Sequence, residues 1–206
     1  MNDDIDLSSV DIPWPQNGDT LVSQIGDARF HATISETTDF VHYIDGFKRA
    51  ADALWNLIKQ DPRAAGVGAL ICPMIFLYRH YVELSLKDLI RLAGHFSSRH
   101  VDEPWGHDLK MLWEQARSLI AAIEPTPSNQ DLAIVSDLIN QLDKIDPESF
   151  AFRYPTRRDR HTRTVRPNLA GGLQLNLEVF CSGVEKLASF FEGSRGMLTD
   201  YTSEQE

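Results

Sequence analysis

One segment limits the architectures open to this chain. Residues 73–91, PMIFLYRHYVELSLKDLIR, form a helix-length run in which apolar side chains cover most of the circumference and charge is confined to a narrow stripe. Ile75, Leu77, Tyr78, Tyr81, Val82, Leu84, Leu86 and Leu89 recur at helical spacing, while Arg79, Glu83 and Lys87 stand one turn apart with His80 and Arg91 beside them in the same sector. A helix apolar on that many sides is a central one. Its charges either reach solvent through a groove or satisfy each other inside, and both outcomes describe a polar site set into a helical core.

The rest of the chain supplies partners for such a helix. Phe40, Val41, Ile44, Phe47, Ala51, Leu54, Leu57 and Ile58 predict a helix ending near Gln60, with Thr37 or Thr38 as its cap. Pro73 suits the first turn of the next helix and Gly94 its end. A third helix is expected over residues 107–123, between breaks at Pro104 and Pro125, and a fourth over residues 131–145. Asn176 can cap a last helix ending near Gly193, and the alternation around Leu173, Leu175 and Leu177 predicts a short hairpin or extended segment near residues 150–175. Residues 1–35 read as an irregular arm with one short strand near residues 28–33, residues 36–193 as the helical domain, and residues 194–206 as a polar, frayed tail. The fold class is therefore all-α, an up-and-down bundle of about five helices.

Composition removes several function classes. The 206 residues are 42% hydrophobic and 24% charged, ordinary for a globular chain. No uninterrupted apolar run reaches the roughly 20 residues of a membrane span. The acidic start, MNDDIDLSSV, lacks the layout of an export signal, so a cytoplasmic protein without membrane attachment is expected. Cys72 and Cys181 lie among apolar residues without metal-ligand spacing, which predicts two buried thiols, no metal and no cofactor. The net charge of −10 disfavours general coating of nucleic acid, yet residues 153–166 hold six arginines against one aspartate, a local +5 that leaves −15 elsewhere. This Arg-rich loop is a local anion site or a contact for an acidic partner.

Three motifs in order carry a family resemblance: FLYRHYVELSLK at residues 76–87, GHDLKMLW at 106–113 and FRYP at 152–155, with GFKRAADAL at 46–54 in support. Across roughly residues 40–193 the chain resembles the HEPN superfamily, most closely a bacterial group sharing the Tyr-Arg-His-Tyr helix. The resemblance implies a helical bundle that often forms homodimers, in a superfamily containing metal-independent ribonucleases, nucleotide-binding modules and inactive scaffolds, many of them in toxin–antitoxin or antiviral systems. Nuclease members carry an arginine followed by a histidine after about four to six residues. Here Arg79 directly precedes His80, Arg91 and His95 have three residues between them, as do Arg157 and His161, and Arg153 and His161 have seven.

Two functions follow as expectations. The preferred one is a noncatalytic module holding a nucleotide, RNA or an acidic protein through Arg79, Glu83, Lys87, Arg153, Tyr154, Arg157 and Arg158, because guanidinium forks and lysine match phosphate oxygens. Against it stands an ion-pair ladder on a solvated helix face. The alternative is a metal-independent endoribonuclease in which His80 or His107 takes a 2′-hydroxyl proton while Arg79, Lys87 or Arg153 stabilises charge on phosphate. For His107, opening a helix in GHDL as its cap is the structural explanation, and for Arg153 a buried partner such as Glu83.

Overall fold

Local capping sets the helix starts. In a computed structural model describing residues 15–22, 25–35, 39–63, 66–96, 106–122, 127–159 and 162–203, the α-helices are α1 Phe40–Gln60, α2 Val67–Phe96, α3 Leu109–Ile120, α4 Asn129–Ile145 and α5 Leu177–Ser203. Asp39, Asp108, Ser128 and Asn176 each accept a hydrogen bond from the backbone N–H three residues on, satisfying a donor that the helix itself leaves open. Strands β1 Thr156–Arg158 and β2 Val165–Pro167 pair antiparallel, with Arg157 opposite Arg166 and Arg158 opposite Val165.

The described residues divide into two units, one within residues 1–37 and one within 38–206. In the first, residues 28–30 form a single 3-10 turn where a strand was expected. Asp27 caps it through the Arg29 N–H and pairs with the Arg29 guanidinium, so local bonds replace the partner strand that extended backbone needs.

The second unit is an all-α bundle with α2 at its centre, packed against α1, α3 and α5, and with α4 on α3 and α5. Met74, Ile75, Tyr78, Val82, Leu86 and Ile90 of α2 are wholly buried, in agreement with its apolar circumference. Val67–Gly94 is long and apolar enough to cross a membrane by length and composition, which the interrupted run in the sequence had hidden. Its buried charges meet partners on other elements of the bundle, the behaviour of a core helix.

Several boundaries differ from the sequence expectations for physical reasons. The proposed caps Thr37 and Thr38 lie outside the described residues, as do Pro104, Ile123 and Pro125. Helix α2 begins at Val67, where the Gly66 carbonyl accepts from Ala69 and Leu70, so Pro73 sits inside the helix and leaves one backbone bond unmade. Burial of the neighbouring Met74 and Ile75 offsets that loss. Gly94 lies within α2 rather than ending it. Asp108, not His107, caps α3. Helix α5 continues past Gly193 because Ser194 and Leu198 are buried and Arg195 donates to Asp88, so the supposed frayed tail is helical through Ser203. The expected hairpin falls in residues 156–167, and the segment carrying Leu173 and Leu175 is irregular backbone packed on the core. Of the two free thiols Cys181 is buried and Cys72 only half-buried.

Candidate functional site

Arg79 is the hub where two of the sequence motifs, the Tyr-Arg-His-Tyr helix and GHDL, meet the end of α4. Its side chain is 0% exposed. Nη1 donates to Glu83 Oε2 at 3.0 Å, one helical turn away, Nε to the Asp146 carbonyl at 2.9 Å, and Nη2 to the His107 carbonyl at 2.6 Å. Gly106 makes the last contact possible, since its φ of +107° turns the chain where an L side chain would be strained. Asp146 is equally engaged: Oδ1 accepts from the Phe150 and Ala151 amides at 2.8 and 2.9 Å, and Oδ2 stands 3.5 Å from Arg79 Nε.

Glu83 extends the network toward solvent. Its other oxygen, Oε1, accepts from Lys87 Nζ at 2.9 Å and from His107 Nδ1 at 2.8 Å. Burial pushes the Glu83 carboxyl upward, but the bonds from Lys87 and His107 outweigh it and hold the group below its ordinary value of 4.5. Glu83 therefore stays ionised at neutral pH, and its contribution to stability is lost only as pH falls from 4.5 through the folded value. The Arg79–Glu83–Lys87 ladder forms as the spacing predicts, yet inside the bundle, not on a solvated face.

His80 and Arg91 leave the stripe. His80 packs edge-on to Phe47 at 4.4 Å and stacks on Phe76 at 5.9 Å between centroids. Arg91 donates to buried Asp88, which also accepts from Arg195 of α5, and lies over Phe40. Burial is the main reason that the His80 imidazole is held below its ordinary 6.5. The unfolded chain therefore takes up this proton more readily than the folded one, and the folded state loses stability as pH falls from 6.5 through the folded value. Urea unfolding at successive pH values is expected to show that decline in the wild type and a flatter profile in His80→Gln; parallel profiles would mean that another group titrates in the window.

The FRYP turn meets α2 through Arg153, though not through Glu83 as the sequence suggested. Arg153 Nε donates to the Ser149 carbonyl at 2.6 Å, and its guanidinium carbon lies 4.9 Å from the Phe150 ring centroid, 5.6 Å from Phe76 and 5.8 Å from Tyr154. Aromatic faces, not a carboxylate, hold this cation. Beyond it an open groove of about 960 Å³ is lined by His107, Phe150, Tyr154, Arg157, Arg158 and Arg166 and equally by the carboxylates of Asp108, Glu148 and Asp159. Two of those carboxylates serve local structure, Asp108 as the α3 cap and Asp159 by accepting from Thr162 N. Glu148 stands 3.9 Å from Arg157, both well exposed.

Of the residues singled out in the sequence, His107, Tyr154, Arg157 and Arg158 thus share one groove. Arg79 and Glu83 are sealed beneath it, Lys87 is turned onto Glu83, Arg153 is caged by rings, and His80 lies between Phe47 and Phe76. Phe150 was missed as a site residue, and Arg166 was read only as one of the arginines of the loop, without its place opposite Arg157. The signal for Arg166 was its symmetrical placement with Arg157 about a hairpin turn, which cross-strand pairing makes explicit. The class defined by these features is a helical bundle with an arginine-bearing hairpin groove above a buried arginine. Comparison with protein families, curated proteins and solved structures finds no match to the chain.

Proposed function

We propose that the chain is a noncatalytic HEPN-like module that binds a phosphate-containing ligand, nucleotide or RNA, in the groove between the GHDL turn and the arginine hairpin. The observation carrying this reading is the cross-strand pair Arg157 and Arg166. Like charges directly opposite one another destabilise a hairpin, and an anion seated between them removes that penalty. Arg79 supports the noncatalytic reading because each of its three nitrogens is engaged inside the core and its side chain is 0% exposed, out of reach of a ligand in the groove.

Labelled RNA titrated at about 50 and 200 mM salt tests the proposal. Affinity is expected to fall with salt, and the double variant Arg157→Ala/Arg166→Ala to bind more weakly with a salt slope reduced by about two. RNA should stay intact in chelator. Equal binding by the wild type and the double variant would remove the groove from consideration.

One observation favours the ribonuclease reading as a second possibility. Buried Glu83 orients His107 through Nδ1 while the imidazole, 56% exposed, sits at the groove, an arrangement suited to a general base. Cleavage in chelator that vanishes in His107→Ala with the fold retained would establish it.

A further inference from the structure

Phe150 and Tyr154 are 41% and 51% exposed, and nothing about core packing requires two large rings in solvent in a groove that also holds Arg157, Arg158 and Arg166. Their centroids are 5.8 Å apart with planes inclined at 31°. Both are held in place. The Phe150 amide is bound by buried Asp146, the Tyr154 amide donates to the Phe150 carbonyl at 3.1 Å, and Asn168 Nδ2 donates to the Tyr154 carbonyl at 2.6 Å. Arg153, itself bonded to the Ser149 carbonyl, lies against both rings and fixes their separation. Ser149, immediately before Phe150, adopts φ +59°, a costly backbone for a residue with a side chain. Strain of that kind, sustained by the surrounding bonds, accumulates where a surface must be held in one shape.

We infer that Phe150 and Tyr154 are a stacking platform for an unpaired nucleobase whose phosphate lies on Arg157 and Arg166, so that the ligand is single-stranded nucleic acid. The inference rests on the phosphate-binding reading above and narrows it. Every base offers a π-face, and aromatic residues interleaved with arginines in one groove match a flexible strand better than a duplex, whose bases are covered by stacking. A rigid ring pair also gives up little conformational freedom on binding. An acidic protein surface would satisfy the arginines through carboxylates, which do not by themselves use the rings, whereas every nucleotide brings a planar base with its phosphate, and this sets the protein second.

Anisotropy titrations of the full chain with four labelled probes decide the matter: a single-stranded RNA, its duplex, an abasic strand of equal phosphate count, and a poly-glutamate peptide. The single strand is expected to bind about tenfold more tightly than the abasic strand and more tightly than the duplex. Tyr154→Ala should erase that advantage while leaving abasic binding in place, and Tyr154→Trp should restore it, with circular dichroism confirming the fold of each variant. Equal affinity for single and abasic strands, unaltered in Tyr154→Ala, overturns the platform but leaves phosphate binding standing. Absence of binding to every nucleic-acid probe overturns both readings, and preference for poly-glutamate overturns the choice of ligand.

Discussion

Replacing Arg79 by methionine is expected to lower unfolding free energy by about 3–5 kcal/mol, the usual cost of removing one partner from a buried ion pair. The loss is larger than that of a surface ladder, where each pair contributes about 0.2–0.5 kcal/mol. Glu83 keeps Lys87 and His107 on one oxygen, but the His107 carbonyl loses the Arg79 donor and the buried Asp146 carbonyl keeps only the 3.4 Å bond from the Ser149 amide. Urea denaturation of Arg79→Met beside Arg79→Met/Glu83→Leu separates the causes. If the loss at Glu83 Oε2 dominates, the double variant recovers part of the stability; if the carbonyls dominate, it does not. A change under about 1 kcal/mol would contradict the buried geometry altogether.

Ending the chain after Gly193 is expected to cost a comparable amount, at least about 3 kcal/mol. Leu198 is 3% exposed, and removing a buried leucine side chain alone costs about 2–5 kcal/mol. Buried Asp88 loses Arg195 as well and, among the described residues, keeps the ion pair with Arg91. Arg195 is partly exposed, so its share is reduced by solvent and the apolar contact carries most of the effect. Comparing the truncation with Leu198→Ala by thermal unfolding checks the attribution: a truncated chain as stable as the wild type would restore the reading of these residues as a frayed tail.

How far the sequence could be read depended on whether a signal was periodic or relational. Helical spacing identified the central helix, because burial on all sides leaves a circumference of apolar residues that needs no partner to be recognised. Ionisable side chains were harder. The stripe at Arg79, Glu83 and Lys87 was visible, but its depth below the surface depends on His107 and Asp146, 28 and 67 residues away from Arg79. His80 and Arg91 shared the stripe on a helical projection and part in space because Phe47 and Phe76 enclose one while Asp88 draws the other. Glycine and polar residues beyond Gly193 resembled an ending, since local propensity cannot report that Leu198 finds a place in the core. The arginine-rich stretch read as a loop, for cross-strand register appears only when Arg157 is set against Arg166.

Asp146 gives the groove a property that its position at the surface conceals. One oxygen of its carboxylate anchors the amides that open the aromatic turn, while the other stands beside the most deeply buried cation of the bundle. Amide protection at the base of this turn is therefore expected to follow opening of the central helix, because one carboxylate ties the two together. The hairpin arginines take no part in that tie, so substitutions there are expected to leave the turn in place.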